Sequence, residues 1–337
     1  MALPLTVLVS SMSARGRSLR VGPRVCRILR SGGWHVDVRV TTSDHDPSAV
    51  AASVSTPYVA ALGGDGYLAA IAQGLAGTGA VMVPIPGGRG NDWCRAIGAG
   101  PEPVARAEAL APLGAAPPEQ AASRIRPMDG MWVDEGSVGE DGDGNARGGD
   151  YDGAGRDGAG RDGRSGGAEA LPRPRRLALG VVSLGLDAWA NKLANESNLR
   201  SGPLAYGWGA VTSPAHFHGA PFRARIDGAE QDLPGWVFSV SNSGFIGGGV
   251  HVVPSSDPSD GVLELFRVDQ VPLRRVVPAV VQVVALRHAD HPLVHTSPAR
   301  SVDILGPAGL PAMADGDVIG HLPLHVEVAP GVVRVLL

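Results

Sequence analysis

A short apolar strand that ends in a cluster of glycines is the feature that most constrains how this chain folds. Residues 57–62 are typical of a fully buried strand, and residues 68–75 have the pattern of a helix. The strand is followed directly by Gly63, Gly64, Asp65 and Gly66. Glycines in such a turn allow positive φ angles and close approach of a ligand, and the helix N-terminus favours an anion. Taken alone, the segment fits a phosphate-binding turn and an ordinary β–α turn equally well.

A second glycine-rich segment follows the next predicted strand, residues 80–85. It consists of Pro86, Gly87, Gly88, Arg89, Gly90, Asn91 and Asp92. Two such loops at the carboxyl ends of neighbouring parallel strands form one crevice, which is where ligands of open α/β sheets bind. In that crevice Arg89 can pair with phosphate. Asn91 and Asp92 can fix a nucleotide or simply cap the following helix.

The order of the predicted elements indicates two domains. Strands and helices alternate over residues 1–125, which predicts an α/β domain with a parallel sheet. Residues 126–321 contain short strands separated by turn signals, which predicts a β-sandwich domain. The final apolar run, about residues 322–337, is predicted to return to the first domain.

A glycine- and aspartate-rich stretch at about residues 134–170 interrupts the second domain. It has almost no apolar residues, so it cannot bury enough surface to fold, and we expect a disordered loop within a β-hairpin. The stretch carries ten acidic and four basic residues, which leaves the rest of the chain near neutral. Such a charge distribution gives little support to nucleic-acid binding.

The apolar runs and the cysteines bear on where the protein works. No apolar run reaches the roughly 18 residues needed to span a bilayer. Cys26 and Cys94 are far apart in sequence, so we expect two reduced thiols and a cytoplasmic protein whose membrane contact is at most peripheral. The apolar run at residues 276–286 is flanked by arginines and fits either a membrane contact or, in preference, buried core.

The two glycine loops closely resemble the catalytic domain of the diacylglycerol kinase family, whose bacterial lipid-kinase members usually read GGDGT and GTGND. Further similar segments occur in the family's order over almost the whole chain. They are residues 128–130 (MDG), 183–188 (SLGLDA), 204–206 (LAY), 247–249 (GGG), 288–292 (HADHP) and 315–317 (DGD). An ordered series of this length is more specific than either loop.

The resemblance implies that Mg²⁺ and ATP bind between an α/β domain and a β-sandwich, where a lipid hydroxyl attacks the γ-phosphate. It assigns the nucleotide to Ser13, Arg15, Gly63, Gly64, Asp65, Gly66, Gly87, Gly88, Arg89, Gly90 and Asn91. It makes Asp315 the general base, with Asp317 replacing the family's usual Glu. Asp65 and Asp129 would complete an acidic cluster, and Asp260 with Asp257 would bind Mg²⁺.

Three departures from the family pattern keep other functions open. Tyr67 replaces the threonine of GGDGT, the first loop keeps only Ser13 of the family's NPxSG, and DGE has become DGD. An NAD-kinase-like enzyme is one alternative, although GRGND and DGD fit the lipid kinases better. A regulator that binds nucleotide or lipid without turnover is another. Diacylglycerol, a sphingoid base and a polyprenyl-like alcohol all remain as acceptors, and a homodimer is left open.

Overall fold

The computed structural model describes residues 2–136, 175–185, 219–246, 248–284 and 291–337. Most of the glycine- and aspartate-rich stretch predicted to be disordered lies outside these residues. The family-like segment at residues 204–206 also lies outside them, as do parts of the segments at residues 183–188, 247–249 and 288–292.

The N-terminal domain is built on four parallel strands. They are β1 (Pro4–Ser10), β2 (His35–Thr41), β3 (Tyr58–Gly63) and β4 (Val81–Pro86). They pair in the order β2-β1-β3-β4, as the alternation of strands and helices predicts. Every residue of β3 and β4 is buried, which explains their continuous apolar sequences.

Six helices accompany these strands in the described part of the domain. They are α1 (Arg17–Ser31), α2 (Pro47–Ala52), α3 (Asp65–Leu75), α4 (Asp92–Ala96), α5 (Pro103–Leu110) and α6 (Pro118–Ala122). Helix α3 begins three residues before the apolar run that predicts it. Its N-terminus therefore stands at the glycine cluster, with Gly64 as the N-cap residue.

The C-terminal part is rich in antiparallel strands. They are β5 (Ile125–Glu135), β6 (Arg176–Ala178), β7 (Val181–Gly185), β8 (Ala220–Ile226), β9 (Ala229–Ser241), β10 (Phe245–Ile246), β11 (Val250–His251), β12 (Leu263–Asp269), β13 (Val294–Ala299), β14 (Ser301–Gly306), β15 (Pro311–Ala314), β16 (Asp317–His321) and β17 (Leu324–Leu336). Strands β5 and β6 pair antiparallel, with Met131 opposite Ala178, so the hairpin predicted around the acidic stretch is confirmed.

Strand β17 connects the two parts of the molecule. It pairs antiparallel with β5 along its length and with β14 through its first half, and on its other edge Arg334 and Val335 pair in parallel with β4. The end of the chain thus joins the sheet of the N-terminal domain. The resulting mixed sheet runs through both domains, and it brings the turn between β15 and β16 close to the start of α3.

The apolar run at residues 276–286 begins within helix α7 (Leu273–Val284). Val276, Ala279 and Val283 are buried, while Val281 is largely exposed. Three of the six residues of this run whose burial the structure describes are therefore core, while Pro278 and Val281 are exposed, so the core interpretation that the sequence favours holds for one side of the helix. Within the described residues, no helix is both long and apolar enough to cross a membrane.

Candidate active site

A cleft of about 1030 Å³ is lined by the glycine loops and by the turn between β15 and β16. Its volume is at the upper end of the range for small-molecule sites. Of the predicted site residues, it is lined by Ser13, Arg15, Gly64, Asp65, Gly66, Gly88, Arg89, Gly90, Asp315 and Asp317. The structure therefore brings together, at one surface, most of the residues that the family resemblance assigns to the nucleotide and to the chemistry.

The two glycine loops touch each other through their backbones. The N–H of Gly87 donates to the carbonyl of Gly63 at 2.6 Å, and a Cβ on Gly88 would lie 2.6 Å from Cα of Gly64. None of these four glycines has a positive φ angle. Of the two expected reasons for glycine, the left-handed backbone is therefore wrong at these positions, while the close approach of a ligand stays a prediction. Glycine is needed here because a side chain would push the loops apart.

Polar side chains behind the cleft fix the loops in place. Ser13 Oγ accepts from Gly64 N–H at 3.1 Å, and Arg17 Nη1 donates to the Gly88 carbonyl at 3.1 Å. The buried Asn91 side chain accepts from Gly88 N–H at 2.8 Å and donates to the carbonyl of Pro101. Asn91 and Gly87, both predicted to hold the nucleotide, thus stand behind the cleft surface and position the residues that line it.

The N-terminus of α3 opens into the cleft. Within the described residues no side chain caps it, and its first intrahelical acceptor, the Gly64 carbonyl, receives the N–H of Leu68. The amides of Asp65, Gly66 and Tyr67 precede that bond, so they have no acceptor within the helix. Together with the helix dipole and the nearby Arg15 and Arg89, these amides favour an anion.

Two carboxylates, those of Asp65 at the start of α3 and of Asp92, lie beside Gly90. A Cβ on Gly90 would lie 3.3 Å from Oδ2 of Asp92 and 3.4 Å from Oδ2 of Asp65. The other oxygen of Asp65 accepts from Trp93 N–H at 3.2 Å. Burial, followed by the charges of Asp92 and Asp315, raises the pKa of Asp65 to about 7. Burial also raises the pKa of Asp92.

Asp92 is a site residue that the sequence analysis treated only as a nucleotide contact or helix cap. Its Oδ2 accepts from Gly248 N–H at 2.9 Å, whereas its Oδ1 is buried without a hydrogen-bond partner in the described parts of the chain. A buried carboxylate oxygen left in this way favours a bound cation or donor beside it. The sequence signal for a role of Asp92 in the site was its position directly after the second glycine loop.

Asp315 and Asp317 approach the cleft from the C-terminal domain. The carboxylate of Asp315 accepts three backbone N–H bonds of 2.8–3.0 Å, from Leu179, Gly180 and Val181. Burial raises its pKa although these bonds oppose the shift. The carboxylate of Asp317 lies against Gly66, where a Cβ would come within 2.3 Å of its Oδ2. Burial raises the pKa of Asp317, and Arg176 opposes the shift.

Asp129, Asp257 and Asp260 do not join this cluster. The carboxylate of Asp129 is buried outside the cleft and accepts from Gly261 N–H at 2.7 Å and Gly331 N–H at 2.6 Å. Asp257 accepts from the N–H and hydroxyl of Ser259, and Asp260 from the N–H of Val262. The predicted cluster of Asp129 with Asp65 is not formed, because the two glycine amides draw the Asp129 carboxylate to another part of the fold.

The predicted metal ligands Asp257 and Asp260 occupy a turn, in which short acidic side chains commonly bind their own backbone. They do not line the cleft. Across the described ranges, no group of three or more His, Cys, Asp or Glu side chains is arranged to hold a metal ion.

Tyr67 occupies a defined position beside the first glycine loop. Its ring packs so closely on Gly63 that a Cβ there would lie 2.2 Å from the ring, and its hydroxyl accepts from Thr41 Oγ1 at 3.0 Å. Burial raises the pKa of Tyr67 to about 12, so the phenol stays neutral at physiological pH. Tyr67 thus packs against the first glycine loop and lines the cleft.

The raised pKa of Asp65 predicts a measurable dependence of stability on pH. Between its ordinary value of 3.8 and about 7, the folded chain keeps a proton that the unfolded chain has released. The contribution of Asp65 to the unfolding free energy therefore falls as pH rises through this window. We expect Asp65→Asn to gain up to about 4 kcal/mol relative to wild type between about pH 4 and pH 8. Urea unfolding at both pH values, with exposed Asp44→Asn as the control, measures the gain; an unchanged difference would contradict the assignment.

Comparison with known proteins decides the family. The model of the diacylglycerol kinase catalytic domain matches residues 4–116, and the model of the YegS C-terminal NAD kinase beta sandwich-like domain matches residues 180–337. The chain joins a diacylglycerol kinase catalytic domain to a YegS-type C-terminal domain. The predicted family and the predicted fold class, an α/β domain followed by a β-sandwich-like domain, are both confirmed.

Individual relatives show how low the sequence identity between this chain and named kinases is. A protein of Mycobacterium tuberculosis named "Diacylglycerol kinase" is 25% identical over 98% of this chain and 94% of its own length. A protein of Pseudomonas putida named "Probable lipid kinase YegS-like" is 42% identical, over 26% of this chain and 31% of its own length. The crystal structure of a diacylglycerol kinase from Bacillus anthracis str. Sterne has a TM-score of 0.67 at 15% identity, covering 99% of this chain and 96% of that one. That structural likeness shows the shared fold.

Proposed function

We propose that this chain is an ATP-dependent lipid kinase that transfers the γ-phosphoryl group to a hydroxyl of diacylglycerol or a related lipid. The match to the kinase catalytic domain and the names of the two relatives support this function. The observation that carries it is the cleft itself. The N-terminus of α3, the paired glycine loops and the carboxylates of Asp65, Asp315 and Asp317 all line this one cleft.

The nucleotide phosphates would bind at the N-terminus of α3. The amides of Asp65, Gly66 and Tyr67 provide donors, and Gly64 and Gly88 keep the approach free of side chains. Arg15 and Arg89, which line the same cleft, would neutralise phosphate charge as the resemblance implies. In phosphoryl transfer this positioning and charge neutralisation supply most of the catalysis.

Asp65 and Asp92 fit a magnesium ion bound together with ATP. Mg²⁺ is commonly held by one or two carboxylates plus substrate phosphates and water, so a site without a third protein ligand is normal for it. The oxygen of Asp92 that lacks a partner supports this placement. When bound, the ion would withdraw charge from the phosphate oxygens. On this proposal the metal lies at the second glycine loop, and Asp257 and Asp260 stabilise the turn in which they lie.

Asp315 would be the general base. Its three backbone donors fix the orientation of the carboxylate but use three of about four acceptor positions, so one lone pair remains. The acceptor oxygen would attack the γ-phosphorus, the bond from that phosphorus to the oxygen bridging the β-phosphate would break, and the hydroxyl proton would pass to Asp315. Asp317, beside Gly66, would help to position the reacting groups.

A long-chain lipid acceptor would be met at a membrane surface, so we also propose a cytoplasmic enzyme that associates peripherally with membranes.

A transfer assay with several acceptors tests the function: diacylglycerol, a sphingoid base and a polyprenyl alcohol in mixed micelles, and NAD in solution. We expect ATP-dependent phosphorylation of a lipid. Phosphorylation of NAD alone would instead identify an NAD-kinase-like enzyme.

A non-catalytic regulator is the second candidate, and Tyr67 is the observation in its favour. The tyrosine ring fills space beside the phosphate-binding turn that a threonine would leave open. Binding of ATP without turnover of any acceptor, together with turnover in Tyr67→Thr, would support the regulator.

A further inference from the structure

The free edge of the N-terminal sheet has a self-complementary sequence. Strand β2 ends the sheet and, within the described chain, pairs with β1 alone. It reads His-Val-Asp-Val-Arg-Val-Thr, and two of its valines, Val38 and Val40, are 39% and 47% exposed. An edge strand of this length with exposed apolar side chains is a template for pairing with another chain.

The backbone of β2 presents a regular set of groups at this edge. The N–H of His35 donates to the Leu3 carbonyl, and the carbonyl of Thr41 accepts from Ser11 N–H, so odd-numbered residues direct their backbone groups to β1. Backbone groups alternate in direction along a strand, so those of Val36, Val38 and Val40 face outward. The exposed Arg30 side chain, which donates to the Val36 carbonyl at 3.0 Å, reaches that carbonyl from outside the sheet.

We propose that two copies of this chain pair antiparallel through β2, about a two-fold axis at Val38. In this register Val38 faces its own copy and Val36 faces Val40, and all three have outward backbone groups that can exchange both N–H···O=C bonds once the exposed Arg30 side chain moves off the Val36 carbonyl. Asp37 of each copy then faces Arg39 of the other at the closer, non-hydrogen-bonded positions, where opposite charges are favourable. Within one chain, Asp37 and Arg39 form an exposed ion pair of 3.5 Å that can exchange partners.

The charges select this register among its neighbours. A two-fold axis at residue 37 would also pair outward backbone groups of the valines, but it would place Asp37 opposite Asp37 of the second copy. An axis at residue 39 would place Arg39 opposite Arg39. Only the axis at Val38 joins unlike charges, and the symmetry of a closed dimer then repeats the contact. The same pairing would shield Val38 and Val40, which are exposed and lie on the same face of the strand as the partly buried Val36.

Pairing at this edge would also reach the wall of the cleft. Thr41 is the last residue of β2, lines the cleft and donates to the hydroxyl of Tyr67. In the proposed register it faces His35 of the second copy. The dimer would therefore hold the strand end that supports Tyr67.

The oligomeric state of charge variants tests the pairing without any substrate. Sedimentation of wild type at increasing concentration is expected to show a monomer–dimer equilibrium. Asp37→Arg sets Arg against Arg, and Arg39→Asp sets Asp against Asp, so each should weaken the dimer at least about tenfold. A mixture of the two variants restores unlike pairs and should form heterodimers. Glu108→Arg, an exposed change of the same charge on α5, is the control and should dimerise as wild type does.

Each result of this experiment bears on the pairing. A wild type that stays monomeric would overturn it, and so would single variants that dimerise as well as wild type. Variants that are monomeric alone and remain monomeric when mixed would overturn the register at Val38. Circular dichroism of each variant shows that the fold is retained, as expected for exposed side chains.

Discussion

Asp315→Asn is expected to lower the rate of phosphoryl transfer by about 10²–10⁴-fold, the usual contribution of a positioned general base. Asparagine has nearly the same shape as aspartate but cannot take the proton of the acceptor hydroxyl. Because Asp315 is not among the groups that we propose to bind the ATP phosphates, the variant should still bind ATP. The experiment compares the turnover numbers of wild type and Asp315→Asn at saturating ATP and lipid. Calorimetry measures the affinity of each protein for ATP.

Folding must be separated from chemistry in this variant. The asparagine NH₂ would face one of the N–H donors of Leu179, Gly180 or Val181, which should cost about 1–3 kcal/mol of stability. Rates are therefore compared per folded molecule, at a temperature below the melting transition of the variant. Asp317→Asn is the matched control, since its carboxylate is more exposed, and it should lose less activity. A larger loss in Asp317→Asn than in folded Asp315→Asn would show that Asp317 is the base.

The second large effect is expected for stability, at Asp129. Asp129→Asn should lower the free energy of unfolding by about 2–4 kcal/mol, because one of the two buried glycine amides would face an NH₂ group and both would lose a charged acceptor. For a chain of this size that corresponds to a fall of several degrees in melting temperature. Activity per folded molecule should stay close to that of wild type, since Asp129 lies outside the cleft.

The matched control for Asp129 is the exposed Asp260, whose carboxylate caps a turn. Asp260→Asn should change stability by less than about 0.5 kcal/mol. Chemical unfolding of both variants measures the difference. A catalytic loss of more than about a hundredfold at unchanged stability would contradict the structural role of Asp129 and restore it to the active site.

Local patterns explain why the N-terminal domain could be predicted from sequence. The buried strands β3 and β4 are continuous apolar runs, and the turns that follow them are dense in glycine, so both signals lie within a few neighbouring residues. Even there one of the two predicted reasons for glycine, a left-handed backbone, is wrong for Gly63, Gly64, Gly87 and Gly88. The backbone contact between Gly64 and Gly88 involves two different loops and has no local signature.

Residues that depend on distant partners could not be assigned in this way. The two amides that bind Asp129 belong to Gly261 and Gly331, which follow it by 132 and 202 residues. The family resemblance placed Asp129 beside Asp65, but these contacts hold it elsewhere. Asp92 shows the reverse case, because its nearness to Asp65 follows from how the second glycine loop folds back across the first. Burial, which raises the pKa of Asp65, is also a property of the assembled domains.

Transfer of a labelled γ-phosphoryl group tests the central claim most directly. Wild type and Asp315→Asn are incubated with Mg²⁺, ATP labelled at the γ-phosphate and diacylglycerol in mixed micelles, and the lipid fraction is then extracted. We predict that wild type places the label on the lipid and that the folded, ATP-binding variant does so at least about a hundredfold more slowly. If wild type binds ATP but labels neither diacylglycerol nor the other lipid alcohols, the chain is not a lipid kinase.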